Sequence, residues 1–165
     1  MQRLQESPVQ IDTSVAVLIA EHVRRLLSGM GFDGARVVCD SSEDSVLRIS
    51  IRIEDDGSIL IGAQGAHLYA LQHIIRCILR KSLQTDMYIL VDVNGYRARR
   101  ERGLAGLAEE TARKAQRTGQ AVVLDPMNAV DRRTIHTALA SHKEVQTESL
   151  GEGPARRVIV RPVFL

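Results

Sequence analysis

Leu60-Ile61-Gly62-Ala63-Gln64-Gly65-Ala66-His67-Leu68 sets two glycines three positions apart, immediately before an amphipathic run. Glycine reaches positive φ and carries no Cβ, so another backbone can come close to the main chain there. A helix start just after the second glycine offers N–H groups and the positive end of a dipole, which favours an anion. By itself a Gly-x-x-Gly marks an ordinary loop more often than a site. Its setting therefore decides the reading.

Working outward, Leu68, Leu71, Ile74, Ile75, Ile78 and Leu79 recur at helical spacing as an expected buried stripe, with Arg80-Lys81 at the cation-favouring end. Upstream, Val15, Ile19, Val23, Leu26, Leu27 and Met30 predict a helix over 13–30, with Asp12 or Thr13 to cap it and Gly29 or Gly31 to end it. Ala35–Cys39 and Val46–Ile53 read as strands joined by a turn over Ser41–Ser45, with Leu47, Ile49, Ile51 and Ile53 on one face of the second. Ile59-Leu60-Ile61 is a short apolar trio after Asp55-Asp56-Gly57, and Met87–Val93 is a third strand. The expected order is α-β-β-α-β, an α+β layer with helices against one antiparallel sheet.

With the glycine loop in that frame, residues 13–93 resemble a KH domain of the type II arrangement. The resemblance implies that Gly62, Ala63, Gln64 and Gly65 clamp a single strand of about four nucleotides while an apolar groove receives the bases. The family commonly has Lys or Arg in the two middle positions, whereas Ala63 and Gln64 are neutral. Weak, salt-sensitive binding is expected from this half alone. The five aromatics, Phe32, Tyr69, Tyr88, Tyr96 and Phe164, do not cluster on one strand, which disfavours folds that stack bases on aromatic platforms.

Asn94-Gly95 marks a change of composition. Residues 1–93 hold 9 Lys/Arg against 12 Asp/Glu, net −3, and residues 94–165 hold 13 against 8, net +5. Such asymmetry suggests a second unit that meets a polyanion, or merely a solvated basic helix. A long helix is predicted over 96–117, with apolar positions Leu104, Leu107, Ala108, Thr111 and Ala115, ended by Gly119. A short strand over 121–124, a turn at Asp125-Pro126-Met127 and a helix capped by Asn128 and reaching about Ala140 follow. Val145–Thr147 and Val158–Val160 form an expected closing hairpin around Gly151–Pro154.

On the capped helix, Arg132 and His136 stand four residues apart, about 40° from each other around the axis. Ile135 and Leu139 run beside them as an apolar line, leaving the pair near solvent. A guanidinium brings a fixed fork of donors to phosphate, and an imidazole a short donor that titrates near neutrality. Such a pair alone is usually plain surface. Together with the basic run Gly95–Arg102, which contains Arg97 and Arg100, the turn Leu124–Asn128, Arg133, and the run Gly153–Val160 with Arg156 and Arg157, it resembles an R3H domain over most of residues 95–163. That resemblance implies single-stranded nucleic acid binding with Arg132 and His136 as the signature positions.

A KH domain followed by an R3H domain resembles the Jag family of bacterial RNA-binding proteins, also called KhpB. The division expected is a tail over 1–12, a KH-like unit over 13–93 and an R3H unit over 94–165. Many members carry a further N-terminal domain. Membership implies single-stranded RNA as ligand, pairing with a small KH-only protein or with a second copy, and RNA-level control of cell growth or division. A protein-interaction scaffold with a degenerate first half, or a single-stranded DNA binder, are the alternatives.

The remaining composition narrows the field. At 165 residues, 44% hydrophobic and 25% charged, the chain fits one domain or two small ones. No apolar run is long enough for a membrane span, and the N-terminus lacks a secretory stretch, so the expected location is the cytoplasm. Cys39 and Cys77 stand alone, as expected of core or boundary thiols. No His-Glu-x-x-His, Cys-x-x-Cys or Gly-x-x-x-x-Gly-Lys occurs, and the spacing of His67 and His73, and of His136 and His142, puts each pair on different helix faces. Asp55-Asp56 reads as a solvent-facing turn and Asp131 as a capping residue. The expectation is a binding protein with no cofactor, no metal and no catalytic residue.

Overall fold

The alternation Leu47, Ile49, Ile51 against Arg48, Ser50, Arg52 builds a strand buried on one face, β2 (Val46–Arg52). The computed structural model describes residues 12–43, 46–54, 57–83 and 87–163, and the side chains of all these except 42, 43 and 83. Most of the expected tail, the end of the Ser41–Ser45 turn, Asp55-Asp56 and Phe164 lie outside the described residues. The chain divides into two compact units, one through Tyr96 and one from Arg97.

In the first unit, α1 (Thr13–Gly29) precedes β1 (Arg36–Glu43) and β2, then α2 (Gly57–Ile61), a 3-10 turn (Ala63–Gly65), α3 (Ala66–Leu83) and β3 (Tyr88–Val93). Ile19, Val23 and Leu27 of α1 and Leu68, Leu71, Ile75 and Leu79 of α3 join Leu47, Ile49, Ile51, Ile89, Val91 and Val93 in one core. Full burial of each such side chain contributes about 1.5–3 kcal/mol, so this shared layer dominates the unit's stability. The expected stripe is too wide at three places: Met30, Ile74 and Ile78 are exposed. They fall at the margin of the arc that faces the sheet, where helical spacing alone does not distinguish core from flank.

The sheet is mixed, which corrects the expectation of an antiparallel one. β1 and β2 are antiparallel, but β3 runs parallel to β2, with Ile49 opposite Val91. The connection from β2 to β3 passes through α2 and α3, and a helical crossover returns the chain to its starting end, as a parallel pair requires. The apolar trio Ile59–Ile61 forms the end of α2, with Leu60 alone fully buried. β1 also extends to Glu43, past the expected end at Cys39, with an irregularity between Asp40 and Glu43. β3 is an edge strand, and the side-chain Oε1 of Gln72 on α3 accepts the Val91 N–H at 3.0 Å.

Asn94 follows β3 in a left-handed conformation, and its carboxamide brackets Ile53. Its Oδ1 accepts the Ile53 N–H at 3.0 Å, and its Nδ2 donates to the Ile53 carbonyl at 2.9 Å.

In the second unit, α4 (Tyr96–Thr118), β4 (Val122–Val123), α5 (Ala129–Ala138), β5 (Val145–Leu150) and β6 (Arg157–Pro162) follow in order. The strands form an antiparallel sheet in the order β4-β6-β5, so β5 is an edge. Leu104, Ala108, Ala112 and Ala115 of α4 meet Ile135 and Leu139 of the α5 region and Val145, Val158 and Val160 of the sheet in a second core. Leu107, expected in the stripe, is exposed, and Ala112 takes a core place instead. The α+β class holds for both units.

Candidate functional site

The Gly-x-x-Gly segment adopts a tight turn between α2 and α3. Gly62, Gln64 and Gly65 all have positive φ, at 68°, 51° and 82°. A Cβ on Gly62 would lie 2.5 Å from the His67 ring, and one on Gly65 would lie 2.9 Å from the Tyr96 ring and 3.4 Å from that of Tyr69. Both glycines are thus demanded by the chain's own conformation and packing. The Gly62 N–H donates to Ser58 O at 2.8 Å, Gly65 N–H to Gly62 O at 3.2 Å, and Ala66 N–H to Ala63 O. These donors serve the turn itself. His67 Nδ1 donates to the Ile59 carbonyl at 2.7 Å, fastening α3 to α2. Ala63 and Gln64 form the exposed tip.

Two of the five aromatics therefore converge beside this turn. Tyr69 is legible in retrospect, standing four residues after Gly65 on the first turn of α3. Tyr96 was not, because only the reversal at Asn94-Gly95 and the parallel return of β3 carry it back to Gly65.

The second unit gathers several of the expected residues at one end of its sheet. Asn128 caps α5, its side chain accepting the Asp131 N–H at 3.0 Å, as its position suggests. Asp131 itself departs from the capping role expected of it. Its carboxylate is buried and one oxygen accepts both Arg100 Nε at 3.2 Å and Nη2 at 2.8 Å. This charge-assisted pair ties α4 to α5, since a buried carboxylate left without donors would be costly.

Arg132 is half-buried and donates through Nη1 to the Met127 carbonyl at 2.8 Å; the Met127 N–H in turn donates to the Arg156 carbonyl at 3.1 Å. One turn on, His136 places Nδ1 2.6 Å from Thr147 Oγ1 and Nε2 2.9 Å from Ser149 Oγ, both on β5. Burial, and secondarily the Arg132 guanidinium, hold His136 below the usual histidine value, so the ring is neutral at physiological pH. Arg157 opens β6 opposite Leu150, the residue after Ser149, and donates through Nε to Ala155 O at 3.0 Å; Arg156 is exposed.

Arg132 is thus joined to the Arg156 backbone through Met127, and His136 to β5, while strand alternation sets Arg157 with Leu150 on the face of the sheet opposite Thr147 and Ser149. Arg133 is not part of that group: it lines a groove of about 350 Å³ with Glu101 and Ala105 of α4 and Val130, Thr134 and Thr137 of α5. Arg100 is committed to Asp131, and Arg97 is half-buried on the first turn of α4. Thr147 and Ser149 escaped sequence reasoning. Their alternation on β5 places them on the inward face, but nothing in the spacing pairs them with a histidine on another element.

Among the described residues, no group of three or more His, Cys, Asp and Glu side chains is placed to hold a metal, and no helix is long and apolar enough to cross a membrane. Cys77, expected at the core or its boundary, is exposed on α3, with its sulfur 3.6 Å from His73 Nε2, whereas Cys39 is half-buried against the first core.

Residues 103–162 match the R3H domain. The chain is 42% identical over 106 residues, 64% of its length, to "RNA-binding protein KhpB" of Clostridium symbiosum, covering 48% of that protein. It is 39% identical over 102 residues to the protein of the same name from Lactiplantibacillus plantarum, covering 62% of this chain and 32% of that one. A further relative of that name, from Streptococcus pneumoniae serotype 2, is 26% identical over 164 residues, 96% of this chain and 49% of the relative. The chain spans about half the length, or less, of these curated relatives.

Proposed function

Because the chain carries an R3H domain and is a homologue of the Jag (KhpB) proteins, we propose that it binds single-stranded RNA, chiefly at the end of the second unit where α5 meets β5. The observation that carries this reading is Arg132, anchored on Met127 beside His136 and next to the backbone of exposed Arg156, in a unit with a net charge of +5 over residues 94–165. Phosphate contacts by such cations supply sequence-independent, salt-dependent affinity. Arg132 holds one guanidinium nitrogen on Met127 O, which restrains the fork and leaves its other donors for a ligand. In this reading the Gly62–Gly65 turn adds a weaker contact through its neutral tip. The protein then acts in the cytoplasm at the level of RNA, in control of growth or division.

Fluorescence titration of labelled single-stranded RNA at several salt concentrations tests the assignment. Arg132→Ala is expected to weaken binding across sequences and to lower the salt slope by about one. Unchanged affinity and slope would remove the surface from consideration. Competition between matched RNA and DNA strands shows whether the 2′-hydroxyl is read.

A second reading, in which the first unit serves protein interaction, is favoured by one observation: the N–H groups of Gly62, Gly65 and Ala66 are engaged within the chain. Its partner would be a small KH-only protein or a second copy. Ala63→Asp with Gln64→Asp in the full chain separates the readings, since both side chains are exposed and Asp tolerates the left-handed conformation at 64. Loss of RNA affinity supports a nucleic-acid role for the turn, and unchanged RNA affinity supports the interaction role.

A further inference from the structure

We infer that one of the two β5 hydroxyls bonded to His136, Thr147 or Ser149, whichever accepts from the ring, is itself a contact group for a phosphate oxygen of the bound strand, and that His136 is a positioning residue acting through it. The inference rests on the reading of this surface as RNA-binding.

The geometry starts from the ring. Both nitrogens of His136 are engaged, at 2.6 Å from Thr147 Oγ1 and 2.9 Å from Ser149 Oγ. An imidazole so occupied has no in-plane nitrogen left to offer a phosphate. A neutral ring has one N–H and one lone pair. One of the two hydroxyls must therefore donate its proton to the ring, and the other must accept the ring's. The accepting hydroxyl keeps its own proton, which cannot point at the ring and is available to another acceptor. Neither hydroxyl has another side-chain hydrogen bond among the described residues. The lowered pKa of His136 agrees with the neutral count.

Position makes that proton useful. Thr147 and Ser149 are half-buried and lie on an edge strand, accessible from the side. Arg132 stands one turn before His136 on the same helix, α5. The Arg132 guanidinium draws the phosphate in, and the remaining O–H supplies a short, directional bond to its oxygen. The ring orients the hydroxyl that accepts from it, and that hydroxyl touches the ligand.

The test uses the full chain and a labelled single-stranded RNA of mixed sequence, with affinity and thermal melting measured side by side. Thr147→Val with Ser149→Ala removes both hydroxyls at nearly constant shape and is expected to weaken binding at least about fivefold without a comparable change in melting. If that pair disturbs folding, Thr147→Val and Ser149→Ala are measured singly, and one of the two is expected to lose about twofold or more. His136→Gln supplies one donor and one acceptor spaced much as the ring nitrogens are, so it is expected to retain affinity that His136→Ala loses. A folded double variant that binds like the parent overturns the inference, as does a His136→Gln variant that falls as far as His136→Ala. Arg132→Ala in the same series separates two failures. If it weakens binding while the hydroxyl variants do not, the surface stands and the hydroxyl contact falls; if it too changes nothing, the RNA-binding surface falls and the inference with it.

Discussion

The Gly62–Gly65 turn and the α5–β5 surface differ in where their polar groups are spent. In the turn, the donors of Gly62, Gly65 and Ala66 close on neighbouring carbonyls, and the glycine faces are filled by His67, Tyr69 and Tyr96. On α5–β5, internal bonds fix the polar side chains while leaving donors over: Arg132 gives one nitrogen to Met127, and His136 holds two hydroxyls. A motif can be kept by its own packing, whereas a surface with fixed, unspent donors is prepared for a ligand. On the proposed reading, the Gly-x-x-Gly turn therefore contributes less to binding than the arginines do.

The sharpest way to break this contrast is through the buried support of the second site. Asp131→Ala leaves Arg100 without its acceptor and is expected to cost the second unit about 2 kcal/mol, less than a fully buried pair because Arg100 remains 34% exposed. Hydrogen exchange should show faster opening in residues 97–163 and no change in the first core; equal loosening of both units would contradict their separate cores. Next in size, Arg132→Ala is expected to lower RNA affinity about tenfold, a loss of about 1.4 kcal/mol. Ala63→Asp with Gln64→Asp should lower it only about threefold, the weaker of the two binding effects because the tip contributes no cation of its own. A reversed order, with the turn variant the more damaging, would invert the assignment.

Smaller effects sharpen the chemistry. The folded pKa of His136 lies below its ordinary value of 6.5, so the unfolded chain binds the proton more readily. Stability from this group is present above pH 6.5 and is lost as pH falls through the depressed folded value. Denaturant midpoints measured across this range should decline on acidification in the parent and decline less in His136→Gln. The smallest effect concerns the thiols: burial pushes Cys39 up to about 11, so it stays protonated, while Cys77 is exposed. Iodoacetamide at neutral pH should label Cys77 first, as peptide mass mapping would reveal; faster labelling of Cys39 would mean that the first core opens readily.

Much of the architecture was legible because it follows from periodicity. The alternation Leu47-Ile49-Ile51 identifies a face, the spacing of Leu68, Leu71, Ile75 and Leu79 identifies a stripe, and Asn128 three residues before Asp131 identifies a helix start. These are local patterns, and local patterns specify local structure. Strand direction was not legible. The parallel run of β3 beside β2 depends on which way a crossover returns, and no residue in either strand encodes it. The same limit applies at the edges of helix faces, where Ile74, Ile78 and Leu107 have core spacing but no neighbouring layer to cover them.

By sequence alone, then, the protein was determined to have two α+β units, an acidic half and a basic half, a glycine turn and an Arg-x-x-x-His helix. Only the tertiary structure decided what those residues face. It set Tyr96 against Gly65, turned Asp131 toward Arg100, parted Arg133 from Arg132, and placed His136 between Thr147 and Ser149. The physical reason is the range of the interactions. Hydrophobic periodicity and capping act within a few residues, whereas a hydrogen bond between side chains on different elements forms only after two cores have fixed those elements in register.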